Sequence, residues 1–155
     1  MLDALAGLEN SLIAQALRSS RWSYAGANAA HILSIALLVG SVLPLDLRLI
    51  GAWPRIDRHA LARVLVPTAG LGLALALATG ASLFTVRAGD YVGLTLLYVK
   101  LSIVAFGAAL AILLHVRAGW WLDGATPGQA RAHGALSIAC WLGALVCGRF
   151  IAYVQ

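Results

Sequence analysis

An all-α integral membrane four-helix bundle, preceded by an N-terminal amphipathic interfacial helix, is the fold this chain predicts, and three observations predict it. The first is composition: 61% of the 155 residues are hydrophobic and 11% are charged, where soluble domains carry about 25% charged residues. With a mean hydropathy of +0.88, the chain has too little polar surface to enclose one water-facing core. The second is a stretch from Trp22 to Leu45 without a single Asp, Glu, Lys or Arg. As a helix it is about 35 Å long, enough to cross ~30 Å of hydrocarbon with some tilt. The third is recurrence: three more apolar stretches follow, and at about 20 residues per crossing four spans use up the chain, leaving one membrane domain over residues 1–155.

In chain order, residues 2–18 place Leu2, Leu5, Leu8, Leu12 and Ala16 at helical spacing, with Asp3, Asn10, Ser11 and Arg18 largely on other faces. That is the pattern of a helix lying on a membrane surface. Trp22 and Tyr24 follow, at the headgroup level that aromatic residues prefer, and the first span runs over about 23–45 with Pro44 near its end. The polar stretch from Asp46 to Arg63, interrupted by Trp53-Pro54, reads as a loop or a short interfacial helix. The second span, about 64–86, is dense in small residues. Gly70 with Ala74, and Ala76 with Gly80, form small-xxx-small pairs that let helices approach closely, which predicts that this span is the best packed. A tight turn at Arg87–Asp90 leads to the third span, about 92–115, with Lys100 well inside it. The Trp120-Trp121 pair marks the next interface, and the fourth span covers about 132–153.

The net charge of +5 reads as membrane topology and not as a nucleic-acid surface, because the basic residues are spread through short loops. Arg48, Arg55, Arg58, Arg63, Arg117 and Arg131 fall on one side and Arg18, Arg21 and Arg87 on the other. This bias makes the first group cytoplasmic and both termini periplasmic, in a bacterial inner membrane. Cys140 and Cys147 are too far apart along one helix to bridge and match no metal-ligand spacing, so they read as small packing residues. Asp3 and Glu9 interrupt the N-terminal apolar residues, and no basic segment precedes them, so the start of the chain does not read as a cleaved signal peptide.

Depth organises the chemistry, since antiparallel spans bring distant residues to one level. His31, Thr79, Lys100 and Arg149 all fall roughly 8–12 Å below the interface on the terminal side, one polar layer drawn from four helices. His31 is too short to reach the headgroups, and an ionisable side chain at that depth is by default a functional site. Two cations and an imidazole without an acid call for an anionic or electron-rich partner. Glu9 and Asp90 are candidates within the chain; haem propionates, quinone carbonyls and lipid phosphate are candidates outside it. Lys100 and Arg149 also admit the simpler reading that they snorkel to the headgroups. On the opposite level, His115 ends the third span and His133 begins the fourth, a placement that suits axial ligands of haem iron as well as ordinary hydrated histidines. His59 lies in a basic loop, and Asp46 and Arg48 are expected to pair with loop charges and fix a helix end. No phosphate loop, nucleophile-and-base arrangement, paired intramembrane carboxylates or Cys/His cluster is present.

The runs AAHILSIALLVGSVLPLDLRLIG, LARVLVPTAGLGLALALATG and YVKLSIVAFGAALAILLH, with the closing GRFIAY, resemble a family of small uncharacterised four-span bacterial inner-membrane proteins over nearly the whole chain. The resemblance implies that His31, Asp46, Arg48, Lys100 and the Arg149-to-Tyr153 ending are signature positions. The chain departs from that pattern at Ser23-Tyr24-Ala25, where Tyr-Pro is usual, and at Ala108-Ala109, where an asparagine is common. A lysine opening a span that ends in histidine is also similar to copper-resistance D-type and cytochrome b-type four-helix membrane proteins, whose histidines bind haem or copper.

The leading expectation is a bundle that holds a b-type haem or a quinone in its core for electron transfer. His31, Thr79, Lys100, Arg149, His115 and His133 would bind the cofactor, with His31, His115 and His133 as the metal-ligating candidates. Two readings stand beside it: a non-enzymatic accessory or scaffold subunit of a larger membrane complex, and a small metal or proton transporter. Lipid is the expected environment, other membrane subunits, a redox partner or further copies of the chain the candidate partners, and nucleic acid is not among them.

Overall fold

The computed structural model describes residues 2–154, and four of its helices are long and apolar enough to cross a membrane. The elements are α1 (Leu2–Glu9), α2 (Leu12–Arg18), α3 (Arg21–Ile50), α4 (Arg58–Val86), α5 (Ala88–Val92), α6 (Thr95–Ala118) and α7 (Pro127–Val154). The protein is an all-α four-helix bundle of α3, α4, α6 and α7. The side chains of Leu2 and Asp3, part of the amphipathic pattern at residues 2–18, lie outside the described residues.

That N-terminal stretch is two helices and not one. Asn10 and Ser11 break it because the Ser11 hydroxyl accepts from the Ala14 N–H at 3.3 Å, capping a new start. Ser20 opens α3 in the same way, accepting from Trp22 N–H at 3.1 Å, and Asp57 opens α4 through Ala60 N–H at 2.8 Å. Both of the first two long helices outrun their expected ends, and the connection between them shrinks to residues 51–57. Pro44 does not stop α3, because the turns beyond it are held from the side: Leu45, Asp46 and Leu49 are buried. The missing proline N–H is tolerable where tertiary contacts fix the next turn. Gly51, at φ +122°, ends the helix in a conformation that side chains disfavour.

The helix expected to be best packed is not. α4 buries Ala62, Gly72 and Val86, whereas α3 buries Ser34, Leu38, Ser41, Leu45, Asp46 and Leu49, a continuous stripe at three- and four-residue steps. Of the two small-residue pairs, Ala76 with Gly80 lies in the register that faces α3 and Gly70 with Ala74 does not: a Cβ on Gly80 would sit 3.0 Å from His31 Cε1 and one on Gly72, a turn before Ala76, 2.6 Å from Leu38 N, while one on Gly70 would meet nothing within 4 Å. On the other side of α3, a Cβ on Gly134 of α7 would lie 2.7 Å from the Asp46 carbonyl oxygen. α3 is therefore clasped between glycines of α4 and α7. α6 joins the bundle through α7, where Gly107 faces Cys140, so Cys140 is the small packing residue it was expected to be. Among the described residues α4 and α6 do not pack on each other, and the ring of helices is open along that side.

Leu45, Leu49, Ala62, Ala118, Leu122, Ala125 and Ala130 close the core at the end that carries the connections following α3 and α6. Leu122 adopts φ +65° and is 1% exposed. A leucine in the left-handed region costs of order 1–3 kcal/mol, and the buried side chain offsets it. At the other end, Arg18 donates to the carbonyls of Glu9 and Val86, and Glu9 Oε1 accepts from Gly89 N–H at 2.8 Å. These bonds tie α1 and α2 across the ends of α4 and α5.

Candidate functional site

A cavity of about 340 Å³ lies between α3, α4, α6 and α7, on the side where α4 and α6 stand apart. Its walls are aliphatic over most of their extent, with Leu38, Leu73 and Ile112 among them, and its polar groups come from three helices: Asp46, His115, and His133 with Ser137. The sequence makes this arrangement locally. His133 and Ser137 are one turn apart on α7 and so share a face, and Gly134 between them lets that face approach the main chain of α3 at Asp46.

Asp46 is 2% exposed, and its Oδ2 has no hydrogen-bond partner within the protein; its side-chain hydrogen-bonding neighbour is Ser137, itself 2% exposed. The expectation that Asp46 pairs with loop charges is overturned. α3 continues as a helix past Pro44, which turns Asp46 inward between Leu45 and Leu49, while Arg48 points out and ties down the loop through Ile56 O at 2.7 Å and Pro54 O at 3.2 Å. His133 Nε2–H donates to Leu110 O at 3.1 Å, a side-chain bond from α7 to α6, and leaves Nδ1 buried without a partner. In the neutral ring that atom is a bare lone pair. His115 Nδ1–H donates to Trp120 O at 3.1 Å, with the two rings 5.6 Å apart. The structure thus brings His115 and His133 to one cavity and adds a buried carboxyl, a buried hydroxyl and the buried Trp141 ring.

The His31 layer is assembled only in part. His31 Nδ1 lies 2.8 Å from Thr79 Oγ1, and the Thr79 hydroxyl donates to Leu75 O at 2.7 Å. The hydroxyl oxygen is therefore the acceptor, Nδ1 carries the proton, and Nε2 of the neutral ring is bare. Gly80 makes room for the ring, since a Cβ there would sit 3.0 Å from His31 Cε1. Lys100 is in electrostatic range of His31 and runs along α7 at Gly148, where an added Cβ would lie 3.2 Å from Nζ. Arg149 does not join them: it is exposed, donates to the Tyr153 hydroxyl at 2.9 Å and stacks on that ring at 4.8 Å. Glu9, a candidate counter-ion for this layer, is committed to Gly89.

None of His31, Thr79, Lys100 or Arg149 lines the cavity. Among the described residues no three His, Cys, Asp or Glu side chains group in a way that would hold a metal ion. His59 lies not in a loop but in the first turn of α4, and pairs with Asp123 of the connection after α6 at 2.9 Å. Sequence reasoning missed Asp46, Ser137 and Trp141 as site residues. The signal for Asp46 was its place between Leu45 and Leu49, one turn apart, and for Ser137 its one-turn spacing from His133. No protein-family model, curated protein or solved structure matches the chain.

Proposed function

We propose that this protein binds the ring of a lipid-soluble quinol in the cavity between α3, α4, α6 and α7, within the bacterial inner membrane and with both termini periplasmic. The observation that carries the reading is that the residues with the unpartnered buried atoms, Asp46 (Oδ2) and His133 (Nδ1), both line one apolar cavity. A buried polar atom costs roughly 1–3 kcal/mol when it has no partner, and a ligand hydroxyl supplies one. His133 Nδ1 accepts from such a hydroxyl, and the Asp46 carboxyl either accepts from one as the carboxylate or donates to a ring oxygen as the acid. With Asp46 as the carboxylate, the two acceptors favour the reduced ring, with its hydroxyls, over the oxidised ring, with its carbonyls.

The remaining features agree with a small flat ligand that partitions into lipid. A volume of about 340 Å³ lies at the lower end of the ~300–1,000 Å³ typical of small-molecule sites. The gap between α4 and α6 opens the cavity toward the hydrocarbon, the route an isoprenoid or alkyl tail needs.

The test is a titration of the detergent-purified protein with decylubiquinol, read by the fluorescence of Trp141 with the other tryptophans replaced by Phe. Saturable quenching that weakens by about 10- to 100-fold in Asp46→Asn, the worth of one buried hydrogen bond to a polar or charged group, supports the reading. Quenching that never saturates, or that is equal in Asp46→Asn and in the parent, defeats it. An absorption spectrum with a Soret band and reduced α/β bands would replace quinol with haem, with His115 and His133 as the ligands.

A further inference from the structure

A second pocket, of about 220 Å³, lies at the end of the bundle that holds the connections following α3 and α6, and its walls include Arg48, Arg58 and Arg131. Each arginine comes from a different helix: the last turn of α3, the first residue of α4 and the second turn of α7. Arg48 is fixed in place by its bonds to Ile56 O and Pro54 O. α4 and α7 both begin here, so their positive dipole ends add to the three guanidinium groups.

Three like charges converging on one pocket repel unless an anion lies among them. The chain does not supply it. Among the described residues the only ion pair is His59 with Asp123, and the nearest carboxyl in sequence, Asp57, caps α4 through Ala60 N–H. The pocket also lies at the ends of two candidate membrane spans, where α4 and α7 begin.

We infer that the Arg48, Arg58 and Arg131 pocket binds a phosphoryl anion, the group that guanidinium forks match bidentately and that basic pockets between membrane helices take from lipid headgroups. The site shares Leu49 with the wall of the quinol cavity but none of that cavity's polar residues.

The experiment is native mass spectrometry of the full chain after incubation with phosphatidylglycerol or with phosphatidylcholine, with and without inorganic phosphate. The protein is expected to retain phosphatidylglycerol over phosphatidylcholine by about tenfold or more, because both carry the phosphodiester but choline adds a permanent cation that three guanidinium groups repel. Arg58→Gln with Arg131→Gln is expected to bring retention down to the phosphatidylcholine level, while Arg117→Gln, on the same side but outside the pocket, leaves it unchanged. Loss of bound lipid on adding inorganic phosphate would show that the phosphoryl group alone is read; retention in its presence would show that the lipid is the source. Equal retention of the two lipids overturns the inference, as does undiminished preference in the double variant. If the double variant does not fold, Arg131→Gln alone carries the same readout, since that residue is exposed.

Discussion

Gly134 of α7 faces the main chain of Asp46 so closely that a Cβ at Gly134 would stand 2.7 Å from the Asp46 carbonyl oxygen and 3.2 Å from Leu49 Cβ. This contact sets the distance between α3 and α7, and with it the place of His133 and Ser137 against the Asp46 carboxyl. Gly134→Ala is therefore expected to force the two helices apart, at a cost of about 1–3 kcal/mol for overpacking. A lower thermal midpoint in detergent together with weaker quinol binding would bear this out; an unchanged midpoint would show that the α3–α7 contact is looser than described.

The same argument separates two glycines of α4. Gly72→Ala would place a Cβ 2.6 Å from Leu38 N, and the main chain of α3 cannot swing aside as a side chain would. Gly70→Ala, two residues away, meets nothing within 4 Å and removes backbone freedom worth roughly 0.5–1 kcal/mol in a helix. Gly72→Ala is expected to lower the thermal midpoint and Gly70→Ala to hold or raise it. The reverse order would place the α3–α4 contact in the register of Gly70 with Ala74.

Asp46 is expected to cost stability in the protein without ligand. Its Oδ2 is buried without a partner, and a polar group in that position is less stable than an apolar one of similar volume. Asp46→Leu should match or exceed the parent in thermal midpoint and lose the added stability that quinol confers on the parent. A strongly destabilised Asp46→Leu would mean that the carboxyl serves the fold and not a ligand.

Thr79 holds the His31 ring in one tautomer by accepting from Nδ1–H while donating to Leu75 O. Thr79→Val removes the acceptor and is expected to cost about 1–3 kcal/mol, whereas Thr79→Ser retains the bond. Imidazole nitrogen chemical shifts of labelled protein are the check: Thr79→Val should mix the two tautomers of His31 and Thr79→Ser should not.

The all-α class, the four apolar helices and the polar side chains at two levels within them are legible in the sequence alone. Those properties follow from composition and from runs free of charge, which depend on no contact between helices. Its reading of depth also brought His31 to Thr79 and placed His115 and His133 at one level, because antiparallel helices of similar length put residues equally far from a turn at the same height. Only the tertiary structure decided which way each residue faces around its helix axis. From the sequence Asp46 is a charge at the end of a span that closes near Leu45, whereas packing at Leu45 and Leu49 carries the helix onward and turns the carboxyl inward. Arg149 was assigned to a polar layer by depth, and the Tyr153 ring on its own helix holds it outside. The glycines of α4 that face α3 are Gly72 and Gly80 and not Gly70, since a helix rich in small residues offers several equivalent faces and the partner surface selects one. The cavity itself follows from α4 and α6 standing apart, a property of two helices that no span contains alone.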